Sequence, residues 1–101
     1  IRHSSQLIEN GTLNAVTTDP MIGREFSVDR ASGKVYGRYI GGDAYTYQVL
    51  DDGHNDSYKV LVTIRSSYFR ARLLEIQEWR EGTQKPFLFT AVSDVYSGIC
   101  E

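Results

Sequence analysis

The sequence has a single cysteine, Cys100, two prolines and no long run of apolar residues. One cysteine excludes a closed disulfide framework within the chain and any metal site built from several cysteines. No apolar stretch approaches the roughly 20 residues that a membrane-spanning helix needs, so we expect no membrane insertion. The sequence also lacks Pro/Gly-rich linkers, repeats and low-complexity tracts. These absences leave one small soluble domain as the expectation.

Excess positive charge is missing as well. Lysine and arginine number 11 against 13 aspartates and glutamates, which gives a formal net charge of −2 at neutral pH. This balance argues against a dedicated nucleic-acid binder and against a polybasic membrane-surface binder. The segment 65–80 interleaves four arginines with aromatic residues, but two glutamates lie in it too. We therefore expect no nucleic-acid partner.

The short motifs of common enzymes are absent: the sequence has no G-x-S-x-G, H-E-x-x-H, phosphate loop or G-x-G-x-x-G. The densest group of oxygen ligands, residues 51–56, departs from the order of acids and glycine in a calcium loop and is typical of a solvated hairpin loop. The two histidines, His3 and His54, are far apart in the chain. The sequence predicts no metal, no cofactor and no catalytic residue. The alternative is a small hydrolase that uses a pair of its carboxylates.

The sequence does contain alternation of apolar and polar residues with a period of two, which begins near Arg24. It predicts a single β domain over residues 24–101, preceded by a poorly patterned segment, 1–23, that holds at most a short strand or hairpin around the Asn10–Gly11 turn signal. The strands expected after the first hairpin are 45–49, 58–65, 87–92 and 95–100, the last two closed by a turn at Ser93–Asp94.

Residues 67–81 fit two structures. Phe69, Leu73, Ile76 and Trp79 have nearly helical spacing, and Gly82 would end a helix. The same segment also alternates as a strand if a bulge lies at Leu73–Leu74, and a meander needs a strand here. We predict a strand, and hence an all-β fold: an antiparallel up-and-down meander curled into a small barrel or half-barrel. The alternative is an α+β fold with one helix at about 67–81 packed on a curved antiparallel sheet.

The register of the first hairpin is predicted from the two faces of its strands. Pairing Arg30 with Val35 across a four-residue loop, 31–34, sets Val28 opposite Gly37 and Phe26 opposite Tyr39. Apolar residues then share one face, and Ser27, Asp29 and Arg38 share the other. A slip of one residue would mix the faces.

The stretch from Phe26 to Gly37 has the form FxxDRxxGxxxG, and LEIQEW at 74–79, EG at 81–82, KPF at 85–87 and YSGIC at 96–100 follow in order. Over residues 24–101 the chain resembles small uncharacterised secreted or periplasmic bacterial proteins that end in a similar Gly-x-Cys. The resemblance implies an exported β protein and a disulfide between the last cysteine and one near the N-terminus. The present sequence has no second cysteine, so Cys100 is either a small buried apolar residue or a half-cystine whose partner lies before Ile1.

Seven tyrosines, and eight arginines against three lysines, are typical of adhesive, partly wet surfaces. We predict a non-enzymatic extracytoplasmic β module that binds a macromolecular partner or a small ligand through an exposed Tyr/Arg face. The candidate binding residues are Tyr36, Arg38, Tyr68, Arg70 and Arg72. The alternative is a structural subunit, monomer or homodimer in solution, that self-associates through strand 58–65 if that strand lies at an edge.

Overall fold

The computed structural model describes residues 1–37, 45–53, 57–64 and 70–101, with the backbone alone at 64 and 70. All nine regular elements in these ranges are β-strands. They are β1 (His3–Leu7), β2 (Leu13–Ala15), β3 (Ser27–Val28), β4 (Val35–Tyr36), β5 (Tyr45–Asp52), β6 (Tyr58–Ile64), β7 (Arg70–Ile76), β8 (Lys85–Ala91) and β9 (Asp94–Cys100). Within the described ranges, no helix is long and apolar enough to cross a membrane.

Seven strands form one antiparallel sheet in the order β2-β1-β9-β8-β7-β6-β5, and β3 and β4 form a separate hairpin. Strands β5 to β9 follow one another as an up-and-down meander, and the β1–β2 hairpin joins it through β9. Nothing pairs β2 with β5 among the described strands, so the sheet is open there rather than a closed barrel. The predicted all-β antiparallel fold is confirmed in its open form.

Strand β7 settles the ambiguous segment as far as the structure describes it. Residues 70–76 pair with β6 on one side and β8 on the other without a break in register. The bulge expected at Leu73–Leu74 is therefore wrong, and the register shift lies instead in β5, between Val49 and Asp51. Residues 70–76 form a strand despite the nearly helical spacing of their apolar residues, because a neighbouring strand on each side supplies hydrogen-bond partners for the backbone.

Strand β6 lies between β5 and β7, so it is not the edge strand that self-association through residues 58–65 requires. Its position follows from its composition. Tyr58, Val60 and Val62 are all buried on one face of the sheet, and the residues between them are half-buried. A strand with one face fully buried and the other half-buried gains most from a central place in a sheet.

One face of the sheet, which we call the covered face, packs against the β3–β4 hairpin and Met21. Side chains from β6, β7 and β8 meet Val35 there, and Phe26 and Val28 pack around them. Each fully buried large apolar side chain of this kind contributes about 1.5–3 kcal/mol to folding. The hairpin has no strand pairing with the main sheet in the described ranges, so its attachment depends on these side chains.

The register of the β3–β4 hairpin differs from the prediction. Ser27 pairs with Tyr36 and Val28 with Val35, and the loop is residues 30–33, closed by the bond from the Asp29 amide to the Lys34 carbonyl. The predicted pairing of Arg30 with Val35 is therefore wrong by two residues in register, and Tyr39 lies outside the described residues. For the described residues of the hairpin the assignment of faces is still correct, because a shift of two residues keeps their side chains on the same side; Arg38, like Tyr39, lies outside the described residues.

The last hairpin also turns one residue earlier than expected. Ala91 pairs with Asp94, so the turn residues are Val92 and Ser93. Val92 has a φ of 55°, the left-handed region that β-branched residues rarely occupy. Pairing of β8 with β9 over seven residue pairs forces this conformation on it.

Candidate functional site

At one end of the covered face, the β3–β4 hairpin and the sheet leave an open cleft of about 660 Å³, which we call the end cleft. Its inner wall consists of buried or half-buried apolar side chains, and charged side chains lie nearer to solvent. The inner group is Phe26, Tyr58, Ile76 and Phe87, and the outer group includes Glu25, Arg30, Glu78 and Lys85.

The inner wall is largely aromatic. The rings of Phe26 and Phe87 meet edge to face, with their centroids 5.0 Å apart and their planes at 85°. Phe26 also approaches Phe89, at 6.5 Å between centroids. Such pairs contribute about 0.5–1.5 kcal/mol beyond the area they bury. They hold Phe26, which comes from the hairpin, against β8 of the sheet.

Three loops meet at the mouth of the cleft. Arg30 in the β3–β4 loop binds Glu78, just after β7, through Nη1–Oε1 at 2.5 Å and Nη2–Oε2 at 2.6 Å. The hydrogen bond and the charge of Glu78 raise the pKa of Arg30. Gly53, from the β5–β6 loop, lies against this ion pair, because a Cβ there would come within 2.5 Å of Arg30 Nη2 and 2.7 Å of Glu78 Oε2.

Tyr58, on β6, holds the β3–β4 loop against the sheet through hydrogen bonds from its hydroxyl. Its hydroxyl donates to the carbonyl oxygens of Arg30, at 2.8 Å, and of Asp29, at 3.3 Å. The Arg30 guanidinium lies 5.1 Å from the centroid of the Tyr58 ring. Burial raises the pKa of Tyr58, since the phenolate would lose its hydration. The tyrosine is therefore both part of the cleft wall and a donor to the loop above it.

The residues D-R-x-x-G of the first motif are explained by this loop. Asp29 Oδ1 accepts from the amides of Ala31 and Ser32, and the Asp29 carbonyl accepts from Gly33. Gly33 has a φ of +77°, and a Cβ there would lie 3.0 Å from Val49 and Val60 side-chain carbons. The motif builds a tight turn whose backbone rests directly on the sheet.

Cys100, at the end of β9, also lines the end cleft. It is half-buried and carries a free thiol. Burial raises its pKa, and the N-terminal amine of Ile1 offsets this in part. A raised pKa keeps the thiol protonated at neutral pH, which is the opposite of what a nucleophilic cysteine needs. A bridge from Cys100 to a residue before Ile1 stays a prediction.

The sequence-predicted binding residues do not gather into one described surface. Tyr36 is 49% exposed on the outer side of the hairpin, with the Lys34 ammonium 5.0 Å from its ring centroid. Arg72 is half-buried on the covered face, where its guanidinium lies 4.9 Å from the Tyr45 ring centroid. Arg38 and Tyr68 lie outside the described residues, as does the side chain of Arg70.

The loop after β5 is described as far as Gly53, whose amide donates to Asp51 Oδ1 at 3.1 Å. This is turn chemistry of the kind its composition favours. Residues 54–56 lie outside the described part. Within the described part, no group of three or more His, Cys, Asp and Glu side chains could hold a metal ion.

Sequence reasoning missed the end cleft because its members are scattered over the whole chain. Arg30 was visible in the DRxxG motif and Glu78 in the LEIQEW segment, but nothing in a single sequence pairs two residues 48 positions apart. Comparisons of the chain with known protein families, with curated proteins and with solved structures found no match.

Proposed function

We propose that this chain is a non-enzymatic binding module that holds, in the end cleft, a small ligand with an apolar body and a polar or charged end. The observation that carries the proposal is the make-up of the cleft: about 660 Å³, aromatic within and charged at the mouth. Small-molecule sites are commonly concave, mostly apolar, and about 300–1,000 Å³ in volume, with a few polar groups that orient the ligand. An aromatic inner wall favours a ligand with a ring or a short alkyl body.

The hydrolase alternative has less support. It needs two carboxylates free to exchange protons with a substrate across the cleft. Glu78, the least exposed of the carboxylates near Arg30, is held by both of its oxygens in the ion pair with that residue. Glu25 is exposed at the cleft mouth. This arrangement favours binding over acid–base chemistry.

We also propose that the module acts outside the cytoplasm, as a secreted or periplasmic bacterial protein. The support is the likeness of residues 24–101 to exported proteins. The test is expression of the native reading frame in a bacterial host, followed by fractionation. Recovery of the protein in the periplasm or medium would support the proposal, and recovery with the cytoplasmic fraction alone would contradict it.

Cys100 offers a direct test of the cleft because it is the chain's single cysteine and lies in the cleft wall. A set of small disulfide-bearing fragments is incubated with the protein under a competing thiol, and the adducts are measured by intact mass. The raised pKa of Cys100 slows thiol–disulfide exchange, so the mixture is left to reach equilibrium, where fragments that bind beside the thiol are retained. We expect aromatic fragments to be retained about tenfold more than polar aliphatic ones, a preference worth about 1.4 kcal/mol.

The matched control moves the cysteine to the surface. In a Val92→Cys, Cys100→Ser variant the thiol stands at an exposed hairpin turn, where the native side chain is 60% exposed. This variant should retain the fragments without preference. If both proteins retained the same fragments in the same yields, the end cleft would not be a ligand site.

Strand β5 supports a second candidate function, self-association. It is eight residues long and has a neighbour on one side only among the described strands. Edge strands of this kind are templates for pairing with a second copy. Sedimentation over a wide concentration range tests it, with Leu50→Lys as the disrupting variant, since Leu50 is exposed on β5. A protein that stays monomeric at high concentration excludes this candidate.

A further inference from the structure

The Arg30 side chain occupies a site for a cation at the mouth of the end cleft. Its guanidinium binds both carboxylate oxygens of Glu78 and lies 5.1 Å from the centroid of the Tyr58 ring. A carboxylate and the face of an aromatic ring both attract positive charge, and proteins combine them to bind organic cations. All three side chains line the end cleft, so the carboxylate and the ring border the space in which the ligand is proposed to bind.

The two members of this ion pair differ in how easily each can leave it. The Arg30 side chain is 60% exposed, whereas that of Glu78 is 19% exposed. Glu78 lies two residues after β7, and its amide donates to the Ile76 carbonyl. The bond from the Tyr58 hydroxyl to Arg30 uses the main-chain carbonyl, so it persists when the guanidinium turns away. Release of the guanidinium therefore needs only rotation of an exposed side chain, and it uncovers the Glu78 carboxylate.

The charges that act on this site, apart from the guanidinium, are those of carboxylates. The hydrogen bond with Glu78 raises the pKa of Arg30, and the charges of Glu78 and Asp52 add to it. Burial raises the pKa of Tyr58, the charge of Arg30 offsets this in part, and the charges of Asp29 and Glu78 add to it. When the guanidinium leaves, the charge of three carboxylates remains, which favours its replacement by another cation.

The cations of the cleft lining are less open to a ligand carboxylate. Arg30 directs Nη1 and Nη2 at Glu78, so a carboxylate would have to displace Glu78 to bind both of these nitrogens. The Lys85 ammonium donates to the Arg80 carbonyl, and the amine of Ile1 donates to a backbone carbonyl as well, at 2.8 Å. The arrangement of donors and acceptors thus favours a positive charge on the ligand.

We infer that the charged end of the ligand is an organic cation, an ammonium or a guanidinium, that takes the place of the Arg30 side chain on Glu78 and Tyr58. The inference rests on the proposed function of the end cleft and adds the sign of charge that its ligand carries. The apolar body of the ligand then lies against the inner wall, at Phe26 and Phe87. Arg30 acts as an internal competitor that must turn away before the cation binds.

Three probes with the same benzyl body and different charges test the inference. Benzylamine is a cation at neutral pH, benzyl alcohol is neutral, and phenylacetate is an anion. Their dissociation constants are measured from backbone amide shifts in nuclear magnetic resonance titrations at constant ionic strength, with the amides of Phe87 and Cys100 as reporters on the cleft. We expect benzylamine to bind about fivefold more tightly than benzyl alcohol, and phenylacetate to bind more weakly than either.

Two substitutions should change the binding of benzylamine in opposite directions. Arg30→Gln removes the competitor and should tighten binding about two- to fivefold, the strength of an exposed ion pair. Glu78→Gln removes the acceptor and should weaken binding about fivefold, to the level of benzyl alcohol. An anion held by Arg30 requires the reverse. Phenylacetate binding that is weakened by Arg30→Gln and tightened by Glu78→Gln would therefore overturn the inference.

The matched controls remove the same charges from the loop after β7. Arg80 and Glu81 are both exposed, and neither is among the residues that line the end cleft. Arg80→Gln and Glu81→Gln should leave the affinity for benzylamine within about twofold of wild type. Changes as large as those of the two cleft variants would show a diffuse charge effect and overturn the inference.

Benzyl alcohol separates this inference from the proposed function. Equal affinity of the cleft for benzyl alcohol and benzylamine would keep the cleft as a ligand site and overturn the cation. No shift of the cleft amides with any of the three probes would contradict the proposed function itself. Thermal denaturation without a probe shows whether each variant is folded. If Glu78→Gln failed to fold, the sign of the effect of Arg30→Gln would decide alone, since tighter benzylamine binding supports the inference and unchanged or weaker binding overturns it.

Discussion

Arg30 binds Glu78 with both ends of its guanidinium, at 2.5 and 2.6 Å, across the mouth of the end cleft. The two residues are 48 positions apart, and their contact joins the β3–β4 loop to the end of β7. Tyr58 bonds the same loop from the sheet below. Among the described residues, the β3–β4 hairpin has no strand pairing with the main sheet. These polar contacts therefore determine the position of the β3–β4 loop over the end cleft.

Breaking this ion pair should cost little stability but should be measurable. The Arg30 side chain is 60% exposed and that of Glu78 19%, so solvent screens the attraction. We expect a coupling energy of about 0.5–1 kcal/mol in a double-mutant cycle of Arg30→Gln and Glu78→Gln, read from urea denaturation. The coupling should shrink in high salt. A coupling of zero in low salt would mean that the pair does not form in solution.

Gly33→Ala should be among the most damaging small substitutions in the chain. The new Cβ would meet Val49 and Val60 at 3.0 Å, and the φ of +77° would be strained for alanine. Gly11→Ala is the matched control, because Gly11 has a similar φ of +87° with nothing within 4 Å.

We expect a loss of about 1 kcal/mol for Gly11→Ala, the backbone cost alone. The loss for Gly33→Ala should be about 2–4 kcal/mol, since overpacking adds to it. Chemical denaturation of both variants measures the difference. Equal losses at the two positions would contradict the close approach of the turn to the sheet.

Val92→Gly should stabilise the protein by about 0.5 kcal/mol, because relief of the left-handed strain, about 1–2 kcal/mol, exceeds the stability lost when glycine adds entropy to the unfolded chain. Val92 holds a φ of 55°, and its side chain is 60% exposed, so little packing is lost. Ser93→Gly, at the next turn position, serves as the control and should bring no gain, because Ser93 does not have a positive φ. Thermal midpoints of the three proteins test this, and a destabilised Val92→Gly would show that the turn is relaxed as it stands.

Stability should fall as the pH rises above about 10. Burial raises the pKa of Tyr58 and Tyr96 above the ordinary value of 10.0, and nearby acids add to the effect at Tyr96. In this range the unfolded chain has lost protons that the folded chain still binds, so the free energy of unfolding decreases with pH. Below the unfolded pKa the contribution is fully present, and it is lost as the pH passes through the folded values.

Tyr96→Phe should make this alkaline decline shallower, because it removes one of the linked protons. Tyr36→Phe is the control, since Tyr36 is exposed on the hairpin. Urea denaturation at a series of pH values from 7 to about 11 gives the slopes. Identical slopes for wild type and Tyr96→Phe would contradict the burial of that hydroxyl.

Much of the local structure could be predicted because it depends on neighbours in the chain. The alternation of Tyr58, Val60 and Val62 indicates a strand with a buried face, whatever its partners are. Asn10–Gly11 marks the turn between β1 and β2, where the Asn10 side chain accepts from the Thr12 amide. Residues 70–76 were predicted as a strand on the ground that a meander requires one, and they form β7.

The candidate sites could not be predicted in the same way. The end cleft depends on Arg30, Tyr58 and Phe87, which come from three separate elements. The place of Arg72 on the covered face depends on strand spacing along β7, and both helical and strand spacing were open at that point. In the hairpin, the faces were predictable but the register was not, because a shift of two residues leaves the pattern unchanged.

The sequence by itself determined the antiparallel β class and excluded a disulfide within the chain, since alternation, turn residues and the single cysteine are local properties. The tertiary structure alone decided which strand lies at the centre, where the bulge falls, and that the DRxxG turn rests on Val49 and Val60. It also placed Cys100 in the wall of a cleft and Arg72 on the covered face. These outcomes depend on which distant segments come into contact. The free energy of such contacts cannot be derived from the pattern of any single segment of the chain.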